Sequence, residues 1–245
     1  MTNILTVKNL TKTYHTLLGE TLAIEDISLS IKKGEFIGIV GSSGCGKSTF
    51  LNILAGLDNE YEGIIQKNNL KEAYMLQKDA LLPWLNVLDN ALIGLKIKNE
   101  LTEDNINYVK DLIKKFGLEN FIKEYPDNLS GGMRQRVALI RTLALKPDII
   151  YLDEPLSALD YVTRLTITDE IYNILKEMKV TTILISHDIA ECTSFCDRIV
   201  VLSKRPAVVK NIYNIKLKNK STPSLNRKDE LFNYYYDLVW SDLDK

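Results

Sequence analysis

The chain has 245 residues, 45% of them hydrophobic, and its 31 Lys and Arg residues against 32 Asp and Glu residues leave a formal net charge of −1. This length suits one large domain or one domain with a subdomain, and the balanced charge argues against a general nucleic-acid binder, which would carry a basic excess. The sequence opens with "MTNILTVKNLTKTYH" and has no run of about 18 apolar residues, so it predicts neither a signal peptide nor a membrane-spanning helix.

The first predicted strand, "EFIGIV" (35–40), is followed directly by "GSSGCGKST". This stretch satisfies the pattern G-x-x-x-x-G-K-[ST], in which glycines let backbone N–H groups approach anionic oxygens. The helical pattern "KSTFLNILAGL" begins inside it, and a helix N-terminus favours phosphate. We predict a phosphate-binding loop in which Lys47 reaches the β- and γ-phosphates of a nucleotide and Ser48 ligates Mg²⁺. A glycine-rich turn with an incidental lysine is the alternative.

Two short patterns come next, "YEGIIQ" (61–66) and "EAYMLQ" (72–77), and they predict a short hairpin at a sheet edge. The region from 85 to 145 lacks strand patterns, and we expect a helical subdomain there. Near its end, in "NLSGGMRQR", Ser130 can cap a helix that begins near Gly132. The two glycines expose backbone N–H groups and would form a second anion-binding cradle. An ordinary capped helix start is the alternative.

The next predicted strand, "DIIYLD" (148–153), ends in two carboxylates. Asp153 suits Mg²⁺ binding through water, and Glu154 suits the polarising of an attacking water. Pro155 biases Glu154 towards extended backbone, so we expect the Glu154 side chain to project from the strand end. An acidic pair that merely caps the strand is the alternative, which the upstream phosphate loop disfavours.

Two further apolar runs, "TTILIS" (181–186) and "RIVVLS" (198–203), complete a set of strands that alternate with helical patterns. Their near-continuous apolarity favours burial on both faces of a parallel sheet, so the sequence predicts an α/β fold. After Pro206 the composition shifts: "KLKNKSTPSLNRKDE" predicts a loop, and "LFNYYYDLVW" predicts an amphipathic helix. Its aromatic residues would pack on the domain or, alternatively, form a surface for a partner.

The chain has three cysteines, which are Cys45, Cys192 and Cys196. An odd number fits a disulfide framework poorly and fits a reducing compartment. Cys192 and Cys196 could share a helix face, but they lack a second pair or a nearby His, so we predict buried thiols rather than a metal site.

The motifs, taken together, resemble those of the ATP-binding subunits of ABC transporters. The matches are "GSSGCGKST", Gln77, "LSGGMRQR", "IIYLDEP", "SALD" and His187 in "LISHD", and they fit in order and spacing from Tyr14 to about Leu202. The resemblance implies a P-loop NTPase (RecA-like) core with a mostly parallel sheet, a small antiparallel β-subdomain and the helical subdomain. It also implies one ABC ATPase domain over 1–245, with a C-terminal extension over about 206–245, that hydrolyses ATP with Mg²⁺.

In this family two subunits face each other head to tail, and each ATP lies between the phosphate loop of one and the "LSGG" of the other. The resemblance implies that Tyr14 stacks on adenine, that Ser130, Gly131 and Gly132 contact the opposing nucleotide, and that Asp160 in "SALD" couples the two sites. A strand aromatic that only packs is the alternative for Tyr14. The residues implied to wrap the phosphates are Gly41, Ser42, Ser43, Gly44, Cys45, Gly46, Lys47, Ser48 and Thr49.

The resemblance also assigns the catalytic and metal-binding residues. Glu154 would be the catalytic base, His187 would hold the γ-phosphate, and Gln77 would sense Mg²⁺ and the lytic water. The metal would be bound by Ser48, Gln77 and, through water, Asp153. A surface amide is the alternative for Gln77, and a strand-end histidine satisfied by its neighbours is the alternative for His187.

Three stretches, "QKDALLPWLNVLDNALIG", "LSGGMRQR" and "SKRPAVVKNI", resemble the nitrate, sulfonate and taurine import subfamily. Importers of thiamine precursors share this pattern. The implied partners are a second ATPase subunit, expected to be a copy of this chain, transmembrane permease subunits and, indirectly, a solute-binding protein. The implied location is peripheral, on the cytoplasmic side of the cell membrane, and no nucleic acid is expected.

The apolar residues of the first stretch offer a surface for a helix of a membrane subunit, or else form part of a core. They are Leu81, Leu82, Trp84 and Leu85. The chain from Gly56 to Gln77 is shorter than is usual in the family, which predicts a trimmed β-subdomain. An exporter or lipoprotein-release ATPase, and an ABC ATPase without a transport role, are the alternative functions.

Overall fold

The computed structural model describes residues 2–17, 19–157 and 159–244. Its strands form a six-stranded sheet and a separate three-stranded sheet. The strands are β1 (Asn3–Thr16), β2 (Gly19–Lys32), β3 (Phe36–Val40), β4 (Glu62–Lys67), β5 (Glu72–Met75), β6 (Ile149–Asp153), β7 (Thr181–Ile185), β8 (Arg198–Leu202) and β9 (Val209–Asn214). The helices are α1 (Lys47–Leu54), α2 (Val87–Ile97), α3 (Glu103–Lys115), α4 (Gly131–Leu143), α5 (Tyr161–Glu177), α6 (Ile189–Phe195), α7 (Pro223–Asn226) and α8 (Phe232–Asp244).

The six-stranded sheet has the order β5-β6-β7-β3-β8-β9. Its first five strands are parallel, and β9 pairs antiparallel with β8 at one edge. Every residue of β3 is buried, as its continuous apolar sequence predicts. Phe36 and Val40 belong to one apolar core, and Ile37 and Ile39 belong to another. The α/β fold and the four strands predicted from apolar runs are therefore confirmed, with ends that agree within one residue.

The three-stranded sheet is antiparallel and has the order β2-β1-β4. The predicted hairpin between 61–66 and 72–77 is wrong, because β4 pairs with β1 in this sheet whereas β5 pairs in parallel with β6 in the other. The two patterns therefore lie in different sheets, and the intervening residues cross between them. The small antiparallel sheet itself agrees with the fold implied by the resemblance.

Helices α2, α3 and α4 and two short 3-10 turns occupy the region predicted to lack strands. Each helix begins at a side-chain cap: Asn86 accepts from the N–H of Asp89, Thr102 from that of Asn105, and Ser130 from that of Met133. Such caps satisfy N–H groups that the helix leaves without partners. The predicted cap at Ser130 is confirmed. The division of the chain into subdomains stays a prediction.

The C-terminal extension adds β9, α7 and α8. The predicted amphipathic helix is confirmed by α8, which buries Phe232 and Val239 and exposes Tyr234 and Trp240. The predicted loop before it contains the short helix α7, and neither α7 nor β9 was predicted from the sequence. Among the described residues, no helix is both long enough and apolar enough to cross a membrane.

The predicted buried thiols are confirmed, since all three cysteines are free and buried. Cys192 on α6 and Cys196, which caps its C-terminus, face the central strand β3. A Cβ atom added to Gly38 would lie 3.0 Å from the sulfur of each. The glycine therefore allows α6 to pack closely against β3.

Candidate active site

The predicted phosphate loop connects the buried strand β3 to helix α1. Gly44 and Gly46 have φ angles of 71° and 127°, which residues with side chains rarely adopt. The side chain of Lys47 is almost buried, and its Nζ donates to the carbonyls of Gly41 at 2.8 Å and Ser42 at 3.0 Å. The lysine therefore lies along the loop that the sequence assigns to phosphate.

Two groups suited to a hard cation meet beside the loop. The hydroxyl of Ser48 lies 3.4 Å from Oδ1 of Asp153 at the end of β6. Tyr74 on β5 donates to the other carboxylate oxygen, Oδ2, at 3.1 Å. Burial raises the pKa of Asp153 and the charge of Glu154 adds to this, while the hydrogen bonds from Tyr74 and Ser48 and the charge of Lys47 act in the opposite direction.

These oxygen donors fit Mg²⁺, which in nucleotide sites uses one or two protein oxygens together with substrate phosphates and water. Gln77 donates to Glu154 and lines the same cleft as Ser48. Tyr74 was not predicted to be part of the site, because its position follows from the parallel pairing of β5 with β6.

Glu154 lies at the centre of the site. Its Oε2 atom accepts from Nε2 of Gln77 at 3.2 Å and lies 3.2 Å from Nδ1 of His187. The structure therefore brings together the three residues predicted to be catalytic. Glu154 is largely covered. His187 is more than half exposed, so its imidazole is open to a ligand.

The expected extended backbone at Glu154 is wrong. Its φ angle is 46°, in the left-handed region that a residue before proline rarely adopts. The conformation is held from both sides, because the N–H of Glu154 donates to the carbonyl of Ile185 at 3.0 Å and the Ser157 hydroxyl donates to the Glu154 carbonyl at 3.0 Å. Tertiary hydrogen bonds thus override the local preference set by Pro155.

A cleft of about 600 Å³ opens over the phosphate loop. The residues that line it are Ser43, Gly44, Gly46, Lys47, Ser48, Thr49, Gln77, Glu154, His187 and Arg205. Arg205, in the loop between β8 and β9, was not predicted to be part of the site. Its guanidinium donates to the carbonyl of Gly44 at 2.9 Å and adds a positive charge to the mouth of the cleft.

Tyr14 lies beside this cleft. Its hydroxyl donates to Oγ1 of Thr49 at 3.2 Å, and the ammonium of Lys12 lies 4.8 Å from the centre of its ring. The ring is partly exposed to solvent. This position is compatible with the predicted contact to adenine.

The second predicted cradle lies apart from the first. Among the described residues, Ser130, Gly131 and Gly132 do not line the cleft, and Ser130 is exposed. Asp160 also lies outside the cleft, where its carboxylate caps α5 by accepting from the N–H of Thr163 at 3.0 Å. The hydrogen bond from Thr163 holds the pKa of Asp160 below its usual range. Ala158, in the same "SALD" stretch, falls outside the described residues.

A phosphate loop between a central parallel strand and a helix, faced by a carboxylate at the end of β6 and a second acidic residue after it, is the arrangement of a P-loop nucleotide-hydrolysing enzyme. The sequence profile of the ABC transporter family matches residues 24–157 of the chain. The chain therefore belongs to the ABC transporter family, as an ATP-binding subunit with ATPase activity.

Two similar proteins illustrate the relationship. The chain is 40% identical over 250 residues to the uncharacterized ABC transporter ATP-binding protein YtlC of Bacillus subtilis (strain 168), covering 99% of this chain and 96% of that protein. It is 37% identical over 218 residues to an aliphatic sulfonates import ATP-binding protein, SsuB, of Bacillus cereus, covering 86% of each.

Solved structures show the same fold. The dimeric post-hydrolysis state of the ATP-binding cassette MJ0796, bound to ADP and Pi, superimposes with a TM-score of 0.75 at 32% identity, covering 86% of this chain and 99% of that one. CbiO1 from Clostridium perfringens, part of the ABC transporter complex cbiONQ, gives a TM-score of 0.77 at 28% identity, covering 88% and 90%.

Proposed function

We propose that this chain powers import of a small solute as one of two identical ATPase subunits, which bind Mg·ATP between them and act on membrane permease subunits. The observation that carries the proposal is the separation of the two cradles. Lys47, Glu154 and His187 share one cleft, whereas Ser130 and Gly132 lie outside it. A second copy, placed head to tail, would bring its own Ser130 to the open side of the cleft.

The residues of the cleft suit transfer of the γ-phosphoryl group to water, which needs positioning and charge neutralisation more than covalent help. Lys47 and the loop N–H groups would hold the phosphates, and Glu154 would accept the proton of the attacking water. His187 would hold the γ-phosphate, and Gln77 would orient the water. When bound, Mg²⁺ would neutralise charge on the β- and γ-phosphates, with Ser48 and Gln77 holding it directly and Asp153 through water.

Closure of the pair would supply Ser130 and Gly132 of the second subunit and would exclude water from the phosphates, which strengthens electrostatic interactions in the site. ATP can do mechanical work on the permease because it binds the closed pair better than the open one. Asp160, at the start of α5, would couple the two sites across the interface.

The segment between Gln77 and α2 supplies a surface for a permease subunit. Trp84 is 69% exposed, whereas Leu81 packs against the main apolar core. Leu81 therefore forms part of the core, whereas Trp84 is available as a surface for a membrane subunit. Gln77, which contacts Glu154, begins the same segment, so a membrane protein bound at Trp84 would be connected to the ATP site through this stretch of chain. The complex would place the chain on the cytoplasmic side of the cell membrane.

Import of a sulfonate, nitrate or related compound is supported by the similarity to sulfonate import subunits and by the sequence of this same segment. The test is to isolate the complex of this chain with its permease and measure ATP hydrolysis with candidate solute-binding proteins and solutes. Stimulation by a sulfonate, nitrate or a thiamine precursor is expected. Stimulation only by a substrate presented from the cytoplasmic side would indicate an exporter instead.

The two-subunit site can be tested on this chain alone. Lys47→Ala damages the loop of its own subunit, and Ser130→Arg damages the cradle offered to the other subunit. Each variant alone is expected to hydrolyse ATP poorly, whereas a mixture of the two contains pairs with one intact site and should recover activity. Full-rate hydrolysis by Ser130→Arg on its own would contradict the shared site. A matched control is Ser241→Arg, at an exposed position of α8.

A further inference from the structure

A buried carboxylate lies directly behind the catalytic cluster. Glu191 on α6 is 6% exposed, and its side chain accepts a hydrogen bond from the hydroxyl of Ser186. The same hydroxyl oxygen accepts from the N–H of Asp188 at 3.0 Å. Ser186 and Asp188 flank His187 on either side. The Glu191 carboxylate therefore closes the turn that carries the imidazole, without itself lining the ATP cleft.

A guanidinium connects this turn to a second one. Arg164 on α5 donates to the carbonyl of Leu159 at 2.8 Å, and its Nη1 lies 3.9 Å from a carboxylate oxygen of Asp188. Its positive charge also acts on Glu191. Leu159 precedes Asp160 in the "SALD" stretch, so Arg164 lies between the turn of His187 and the turn that the proposed function assigns to coupling of the two ATP sites.

The groups around Glu191 share one small void with two of the predicted catalytic residues. Arg164, Ser186 and Glu191 line a void of about 10 Å³ together with Glu154 and His187. Because the void is so small, the side chains around it are closely packed, and a displacement of the Glu191 side chain would displace its neighbours.

The C-terminal extension holds the two helices that supply these groups. The N–H of Ser224 donates to the Asp169 carboxylate on α5 at 2.8 Å, and the fully buried amide of Asn226 donates to the carbonyl of Ser194 on α6 at 2.7 Å. The next residue, Arg227, adds a second positive charge that acts on Glu191. Burial raises the pKa of Glu191, while the hydrogen bond from Ser186 and the two guanidinium groups oppose that rise.

We propose that Glu191 is a positioning residue for ATP hydrolysis: it holds His187 in place through Ser186 and is linked to the "SALD" turn through Arg164, while Asn226 of the C-terminal extension holds the helix that carries it. The role rests on the proposed function, in which His187 holds the γ-phosphate. It connects the extension, which carries none of the ATP-binding motifs, to the helix that carries Glu191.

The test compares ATP hydrolysis by Glu191→Ala, Glu191→Gln and the wild type in the full-length protein. Glu191→Ala is expected to lower kcat by about 10- to 100-fold while changing KM for ATP by less than about 3-fold, because the phosphate loop is untouched. Glu191→Gln should retain most of the activity, since its amide oxygen can still accept from Ser186. Glu177→Ala, which removes an exposed carboxylate from α5, is the matched control.

A double-mutant comparison separates positioning from general damage. If Glu191 acts through His187, then adding Glu191→Ala to His187→Ala should lower kcat no further. A further loss in that background, a raised KM with unchanged kcat, or full activity of Glu191→Ala would each overturn the proposal. Should Glu191→Ala fail to fold, Ser186→Ala removes the same link and is expected to give the same pattern.

A different result would show that the proposed function itself, rather than the role of Glu191, is wrong. Full-rate hydrolysis by His187→Ala would remove His187 from the mechanism, whatever the Glu191 variants do. If Glu191→Ala then lowers kcat in the protein that carries His187→Ala, the positioning role of Glu191 is overturned as well. For the extension, Asn226→Leu removes the hydrogen bond to α6 and is expected to lower kcat about 2- to 5-fold, whereas Lys228→Met, at an exposed position nearby, should leave kcat unchanged. Equal effects of both would remove the extension from the proposal.

Discussion

The hydroxyl of Tyr74 donates to the Asp153 carboxylate at 3.1 Å across the parallel pairing of β5 with β6. The opposite oxygen of that carboxylate faces the Ser48 hydroxyl. The proposed metal site is therefore supported from behind by a neutral donor on an edge strand. The strand that carries Tyr74 also leads directly to Gln77.

Tyr74→Phe removes this hydrogen bond and leaves the ring in place. We expect the concentration of Mg²⁺ needed for half-maximal ATP hydrolysis to rise by about 3- to 10-fold, because a hydrogen bond to a charged group contributes about 1.5–3 kcal/mol when buried and less at a partly open site. A Mg²⁺ titration of the hydrolysis rate measures the change. Tyr108→Phe is the control, since its hydroxyl lies near a backbone carbonyl on another helix. An unchanged Mg²⁺ dependence would remove Tyr74 from the metal site.

Glu154→Gln keeps the shape of the side chain and removes its ability to accept a proton. The rate of hydrolysis is expected to fall by about 10²–10⁴-fold, the usual range for loss of a general base. ATP binding should persist, because Lys47 and the loop N–H groups are unchanged. Single-turnover hydrolysis and equilibrium binding of a fluorescent ATP analogue measure the two quantities. Near-normal hydrolysis would assign the base to another group, and Glu177→Gln controls for loss of a carboxylate elsewhere.

Arg205→Ala removes a positive charge from the mouth of the cleft and a hydrogen bond to the Gly44 carbonyl. We expect KM for ATP to rise by about 2- to 10-fold with little change in kcat, as for an exposed charge that contributes up to about 1 kcal/mol. Lys204→Ala is the control, because Lys204 lines a neighbouring cavity instead. The rise should shrink at high salt, since exposed charges are screened. Equal KM values for the two variants would exclude a nucleotide contact by Arg205.

Gly132→Ala and Gly131→Ala should differ in stability although the glycines are adjacent. A Cβ atom on Gly132 would lie 2.9 Å from Cδ1 of Ile167 and 3.1 Å from Cγ2 of Thr163, whereas one on Gly131 meets Cδ2 of Leu159 at an ordinary 3.5 Å. Overpacking of this kind costs about 1–3 kcal/mol. Urea unfolding is expected to show that loss for Gly132→Ala and almost none for Gly131→Ala. Equal urea midpoints for the two variants would mean that α4 and α5 can move apart without loss of stability.

Asp197 connects the extension to the sheet: its carboxylate accepts from Nζ of Lys220 at 2.5 Å and from the N–H of Phe36 at 2.8 Å. Burial works to raise the pKa of Asp197, but the charge and hydrogen bond of Lys220, the Phe36 N–H and Lys176 outweigh it, so the pKa lies below its usual range. A carboxyl whose pKa is lowered in the fold stabilises the protein above the pKa of the unfolded chain.

Asp197→Asn is therefore expected to lower the free energy of unfolding by about 1–2 kcal/mol at pH 7, a value reduced for the partial exposure of the group. The difference from the wild type should disappear as the pH falls from the usual aspartate pKa of 3.8 through the lower folded value. Denaturant titrations across this range test the prediction. Asp111→Asn, on the exposed side of α3, should show no such dependence, and a constant difference at every pH would contradict the linkage.

The strands with continuous apolar sequence were predictable to within one residue, because burial on both faces of a parallel sheet leaves an unmistakable pattern. The first two strands were not, since both contain a left-handed residue, Asn9 in β1 and Asp26 in β2, and their pairing shifts register. The short strand β5 was assigned to the wrong neighbour, because four residues cannot specify which distant strand they join.

Site residues with a local sequence pattern were predicted, and those placed only by tertiary structure were not. The phosphate loop and Ser130 have local patterns that specify their structure, and Glu154, His187 and Gln77 were brought together as the motif order implies. Tyr74 and Arg205 have no local pattern, since each reaches the site through a pairing or loop set by tertiary structure. The backbone of Glu154 is likewise determined by contacts from β7 rather than by its own neighbours.

The burial of all three native sulfur atoms has a practical consequence for spectroscopy. Cys45, Cys192 and Cys196 are at most 2% exposed, so maleimide dyes or nitroxide spin labels added to the folded protein would react with an introduced surface cysteine first. Ile97, which is 75% exposed at the end of α2, is a suitable place for one reporter per chain. The separation between two such reporters would then follow opening and closing of the proposed pair of subunits without any need to remove native thiols.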